Sequence, residues 1–400
     1  MLLVGIASLI IAMGVTWMVT PLVIRLANRL GAVDLPAGRK VHREPVPRAG
    51  GLAIFAGFTA GLFFAAMATG KLWAGPELTS YWLGLAVAAT ALLLTGLFDD
   101  LWGLSFHWKF VAQLLAAVYV WSSGFRVEIL SHPLGGELQL GWLSLPVTLL
   151  WIVGITNAVN LIDGLDGLAT GIALITTAAV AVFAIAGSQL GVAAASVALA
   201  GSLIGFLRFN FNPARIFLGD SGSMFLGFVL AVTSVRGSQK GPTAVAIVVP
   251  LLVLGLPLLD TGLTVLRRLY RLGARGVRSD NTLRYMIRNF DHIFLPDRKH
   301  IHHRLLELGL SHRWSVIALY GVGGLFALCA FCLVLLKNMV LALLLLALLA
   351  GLMAAFFSLL YLRIWRLQAR ERDSAESGEL ASGHPEKAFA ASTRPQTESR

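Results

Sequence analysis

The chain has 400 residues, 57% of them hydrophobic and only 13% charged, with a net charge of +11. A soluble protein covers its surface with roughly a quarter charged residues, so half that share excludes an ordinary soluble globule and points to a bilayer. The positive surplus invites nucleic acid as a partner, but its distribution along the chain assigns it to membrane topology instead.

A helix that crosses hydrocarbon needs about 20 mostly apolar residues. Eleven windows meet or approach that length: Leu2–Ile24, Leu52–Gly70, Tyr81–Phe98, Trp108–Ser123, Trp142–Thr156, Leu168–Ala186, Leu190–Leu207, Gly222–Val235, Thr243–Leu266, Trp314–Leu336 and Met339–Leu362. The first lacks a basic leader and is too long for a secretory signal core, so it is expected to be a true span. Between the fourth and fifth, Phe125–Gly141 holds a Gly135-Gly136 turn flanked by short apolar stretches and is expected to form an external hairpin. From about Ala369 onward Ser, Glu, Ala, Pro and Gly dominate, the composition of a disordered tail. The expectation is an all-α polytopic membrane protein of about eleven helices, with a membrane domain over 1–368 and a tail over 369–400.

Lys and Arg orient this array. Of the 32 basic residues, 27 fall in one set of connections and the C-terminal tail, and 5 in the other set. That places the N-terminus outside and the tail in the cytoplasm. Cys329 and Cys332 spell C-x-x-C, but within an apolar span, where a redox or metal role has no polar setting.

The unusual polar residues gather on the same, cytoplasmic, side, in segments 25–51, 98–109, 157–168, 208–223 and 267–313. Asp99 and Asp100 end the third span, where a solvated helix terminus is the plain reading. Negative charge there opposes the helix dipole. Asn157, Asn160, Asp163 and Asp166 follow the fifth span, and the three-residue spacing of the last three would put them on one face of a helical turn. Their amide and carboxylate oxygens suit a hard cation such as Mg²⁺, shared with substrate phosphates. Asp220 and Ser221 open the eighth span, either capping it or holding metal beside a phosphate-facing helix end. His300, His302 and His303 beside Arg298 lack the soft ligands of a zinc site and read as a pyrophosphate-binding set. Lys40 and Arg48 lie in a basic, proline-stiffened loop that positive-inside bias by itself explains.

Several of these segments together resemble the polyprenyl-phosphate N-acetylhexosamine-1-phosphate transferase family. The matching stretches are Pro45–Gly51, Asp99-Asp100 with Leu104, Ser105 and Lys109, Asn157–Leu168, Leu218–Ser223 and the His300–His303 motif. The His-Ile-His-His form resembles the WecA/TagO-like branch rather than the MraY-like one. One departure is Gly103, where a stricter family pattern has a third carboxylate. The resemblance implies attack by undecaprenyl phosphate on the β-phosphorus of a UDP-N-acetylhexosamine, with GlcNAc the favoured sugar, and release of UMP. It implies Mg²⁺, or Mn²⁺ in its place, on Asn160 and Asp220, and Asp99 or Asp100 acting on the lipid phosphate. Lys109 would pair with that phosphate; Arg298 and the three histidines would meet the diphosphate. Asn157, Asp163, Asp166, Lys40 and Arg48 would complete the substrate site. The implied setting is the bacterial inner membrane, with a homodimer left open. An MraY-like phospho-MurNAc-pentapeptide transferase is the alternative within the class, and a secondary transporter of an anionic or lipid-linked solute the alternative outside it.

Overall fold

The computed structural model describes residues 2–35, 44–70, 76–131, 137–238 and 309–336, with isolated positions at 254–255, 258, 262, 305–306, 344, 347–348, 351 and 358. In chain order the helices are α1 (Leu2–Leu30), α2 (Gly51–Thr69), α3 (Pro76–Trp102), α4 (Phe106–Ser122), α5 (Ser144–Ile162), α6 (Leu168–Ala186), α7 (Leu190–Asn210), α8 (Gly219–Ser238) and α9 (His312–Leu336). Among the described residues seven helices are long and apolar enough to cross a membrane, and Gly219–Val235 adds a shorter apolar one. Side chains such as Leu3, Met18, Met67 and Leu150 point outward from the bundle. The chain is a multi-pass membrane protein whose outer face suits lipid. Apart from those isolated positions, the expected spans Thr243–Leu266 and Met339–Leu362, most of segment 267–313 and the tail 369–400 lie outside the described residues.

Two small ribbons interrupt the helices. Strand β1 (Val33–Asp34) pairs antiparallel with β2 (Val46–Pro47) between α1 and α2. Strand β3 (Ile129–Ser131) pairs with β4 (Glu137–Gln139), with Ile129 opposite Gln139, where the external hairpin was expected.

α8 is the hub. Met224, Phe225, Leu226 and Phe228–Val232 are all essentially inaccessible, as a helix apolar on every side requires, and α2, α3, α5 and α6 surround it. Close approach depends on small residues, because apolar burial gives helices in lipid little reason to associate and packing must do so. Gly57 and Gly61 on α2 abut Thr16 and Ala12 on α1, and Gly201 and Gly205 on α7 abut the Leu9 and Met13 carbonyls of α1. Ser8 adds a hydrogen bond to the Gly61 carbonyl at 2.9 Å.

At Gly51 an added Cβ would run into the main chain of Ser221 and Gly222, whereas at Gly154 it would meet nothing within 4 Å. Gly51→Ala is therefore expected to destabilise by about 3 kcal/mol, the upper range for overpacking against backbone. Gly154→Ala should be neutral or mildly stabilising. Thermal unfolding midpoints in detergent check the pair.

Candidate active site

The end of the bundle where α3 stops and α8 starts is built around two adjacent carboxylates with different surroundings. Asp100 is 2% exposed. Its Oδ1 accepts the Asp220 N–H at 2.9 Å, and its Oδ2 accepts the Ser221 N–H at 3.1 Å and the Ser221 hydroxyl at 2.7 Å. Asp100 thus satisfies the orphan donors of the α8 N-terminus, and the positive end of that helix offsets the unfavourable end of α3. The cap comes from α3, not from Asp220 or Ser221. Gly219 makes it fit: its φ is +73°, and a Cβ there would lie 2.6 Å from Asp100 Oδ2.

Asp99 faces the other way. Its Oδ1 accepts the Leu104 N–H at 2.6 Å, which folds the turn between α3 and α4, and its Oδ2 lies 3.3 Å from Lys109 Nζ. The same ammonium sits 2.7 Å from Asp220 Oδ2. Lys109 in the first turn of α4 therefore bridges carboxylates from α3 and α8.

α5 runs past the Thr156 end of its apolar window to Ile162. Asn157 and Asn160 stand on its last turns rather than in a following loop. Asn160 Nδ2 donates to Ser223 Oγ at 2.7 Å, and the Asn160 side chain also meets Asp220. Asn157 Nδ2 donates to Gln113 Oε1 at 2.6 Å and to the Val153 carbonyl at 2.8 Å. The helix ends at Ile162, so Asn160, Asp163 and Asp166 do not share one helical face. Asp163 is the C-cap, and Asp166 lies in the turn leading to α6. Burial, reinforced by the nearby Asp220, Asp100 and Asp166 charges, pushes the Asp163 carboxyl up to about 8.

Asp166 ties this turn to its neighbours. Its Oδ2 accepts Asn212 Nδ2 at 2.9 Å and the Ala214 N–H at 3.0 Å, while its own N–H donates to His312 Nε2 at 2.8 Å. Tyr320 donates to the Gly167 carbonyl at 2.6 Å, so α9 holds the turn from its far side. Nothing in the sequence patterns singled out His312 or Gln113. Each is a polar residue in or at the head of an apolar run, and that was the available signal.

Asp100, Asn160, Asp163, Asp166, Asp220, Arg48 and His312 line a cavity of about 880 Å³. Strand pairing brings Arg48 there: Phe217 N–H donates to the Pro47 carbonyl at 2.8 Å and Gly50 N–H to the Phe217 carbonyl at 3.1 Å. Among the described residues, Arg48 Nε and His312 Nδ1 are buried without hydrogen-bond partners. Asp99, Lys109 and Asn157 do not line the cavity, and Lys109 links Asp99 to the lining residue Asp220. Lys40, Arg298, His300, His302 and His303 lie outside the described residues.

Among the described residues no three carboxylate, imidazole or thiol groups converge as a closed metal cage. The donors on hand are hard oxygens from Asp220, Asn160 and their carboxylate neighbours, on the rim of an open cavity. Such a set fits a Mg²⁺ that keeps waters and shares substrate oxygens, and does not fit a soft metal.

The model of "Glycosyl transferase family 4" matches residues 82–238. A probable undecaprenyl-phosphate N-acetylglucosaminyl 1-phosphate transferase of Bacillus subtilis (strain 168) is 40% identical over 326 residues, covering 81% of this chain and 84% of the relative. The chain belongs to glycosyl transferase family 4. A decaprenyl-phosphate N-acetylglucosaminephosphotransferase of Mycobacterium leprae is 39% identical, covering 80% of each chain. A phospho-N-acetylmuramoyl-pentapeptide-transferase of Listeria welshimeri is 33% identical over 58% of this chain and 66% of its own length. The family 4 match runs from α3 to α8 and so contains Asp99, Asp100, Lys109, Asn157, Asn160, Asp163, Asp166 and Asp220, while Arg48 and His312 fall outside it.

Proposed function

We propose that this family 4 member transfers N-acetylglucosamine-1-phosphate from UDP-N-acetylglucosamine to a polyprenyl phosphate of the undecaprenyl type, releasing UMP. The observation that carries the reading is the position of Asp220. It forms part of the wall of a donor-sized cavity, and its carboxylate also meets Lys109, which with Asp99 stands at the α3–α4 edge. Trp102 and Trp108 are exposed along that edge, as at a lipid interface. A nucleotide-sugar in the cavity and a lipid phosphate at the edge would meet at Asp220.

In the proposed reaction an oxygen of the lipid phosphate attacks the β-phosphorus of the donor. The bond from that phosphorus to the bridging oxygen breaks, and UMP leaves with the electron pair. Such a transfer is chiefly positioning and charge neutralisation. Lys109 holds the acceptor phosphate, and Asp99 orients it or takes its proton. Asp99 suits this role better than Asp100, whose oxygens are committed to α8. Asn160 and Asp220 would hold Mg²⁺, which when bound neutralises the diphosphate. Asp163 and Asp166 shape the nucleotide end of the cavity. Arg48, with its unpartnered Nε, together with Lys40, Arg298, His300, His302 and His303, meets the diphosphate. In this reading the bias of basic residues turns this end toward the cytoplasm, and the family resemblance supports a bacterial inner membrane as the setting. The muramoyl-pentapeptide alternative has weaker support, since that relative matches less of the chain at lower identity.

Detergent-purified protein incubated with Mg²⁺, undecaprenyl phosphate and UDP-N-acetylglucosamine should release UMP only when the lipid is present. EDTA should lower that release at least about 100-fold, as expected when a diphosphate loses its counter-ion. Folded protein that yields no lipid-dependent UMP from any UDP-sugar would overturn the transferase reading. Activity confined to sealed vesicles would favour a transporter.

A further inference from the structure

Polar side chains on three helices form a ladder beside the cavity. α4 presents Lys109 and Gln113, four residues apart and so on one face. α5 presents Asn157 and Asn160, and α8 presents Asp220 and Ser223. The rungs are Lys109 to Asp220 at 2.7 Å, Asn160 to Ser223 at 2.7 Å, and Asn157 to Gln113 at 2.6 Å. Two of these rungs include a cavity-lining residue. The third joins neutral amides away from the cavity wall. Gln113 is 3% exposed, and its Nε2 returns a longer bond of 3.5 Å to Asn157 Oδ1.

α4 rests on α3 and α5, so Lys109 must extend to reach the first turn of α8. Its height relative to Asp220 and Asn160 therefore depends on the register of α4 against α5. A buried amide pair sets such a register well, since sliding either helix leaves buried donors and acceptors unsatisfied.

We infer that Gln113 is a positioning residue for the transfer centre. Through its amide pair with Asn157 it holds Lys109 between Asp99 and Asp220, and Asn157 serves this lock and does not contact substrate. The inference rests on the proposed transferase reaction.

Gln113→Leu tests it. The variant should lower kcat about 10- to 100-fold, the cost of displacing a reacting group by about an ångström. The KM for the UDP-sugar should stay within about threefold, since no cavity contact is removed. Lys109→Met with Gln113→Leu should be no slower than Lys109→Met by itself, because both changes act through one group. The reciprocal swap, Gln113→Asn with Asn157→Gln, should restore kcat to within about threefold of the parent. A folded Gln113→Leu with parental kcat would overturn the inference. So would full additivity with Lys109→Met, or an effect confined to KM. Should Gln113→Leu fail to fold, the milder Gln113→Asn decides: a drop in kcat that the swap repairs supports the inference, and one that it leaves unrepaired overturns it. An inactive parent would instead remove the proposed reaction, and this inference with it.

Discussion

Asparagine in place of Asp220 is expected to cut lipid-dependent UMP release about 1,000-fold or more, in line with losing a preorganised charge at a transfer centre. Asp220 meets Lys109 and Asn160 while lining the cavity. The substitution keeps side-chain size and leaves the main-chain N–H that Asp100 binds, so folding should persist. Without the Asp220 charge, the carboxylate left beside Lys109 among the described residues is Asp99, at 3.3 Å. UMP release measured beside the unfolding midpoint checks both halves. Activity within tenfold of the parent would remove Asp220 from the chemistry.

Asp100→Ala is expected to act on stability first. Three donors lose their acceptor in a buried place: the Asp220 and Ser221 N–H groups and the Ser221 hydroxyl. At about 1–3 kcal/mol for each unsatisfied buried group, partly relieved by relaxation, the loss should reach about 3–5 kcal/mol. The unfolding midpoint in detergent should fall sharply, and the yield of folded protein with it. Asp99→Asn, one residue earlier, should unfold near the parental midpoint and lose activity instead. Equal midpoints for Asp100→Ala and the parent would show that the α8 cap is not structural.

Much of this arrangement was legible in the chain. Apolar windows located α1, α2, α3, α5, α6, α7 and α9, because a span must satisfy its backbone internally and face lipid with apolar side chains. The Gly135-Gly136 pair in the sequence pointed to a ribbon within Phe125–Gly141, and β3 does pair with β4. The grouping of Asp163, Asp166 and Asp220 around one cavity followed from their falling in alternate connections, α5 to α6 and α7 to α8, which two crossings bring back to one end. Local readings failed where a partner distant in sequence decides the conformation. Asp99 and Asp100 look alike in the chain, yet one caps a helix 120 residues away and the other faces Lys109. Asn160, Asp163 and Asp166 seemed to share a helical face, but the helix stops at Ile162 and the following turn is held by Asn212, His312 and Tyr320.

Composition and periodicity thus determined a helical membrane protein with its unusual polar residues at span ends, since bilayer thickness and the cost of charge in hydrocarbon act on every residue wherever it ends up. Which carboxylate supports a helix, which meets the lysine, that Gln113 pairs with Asn157 and that His312 lines the cavity were decided only by tertiary structure. Those assignments depend on distances between helices, and hydrogen bonds and charge pairing fall away within a few ångströms.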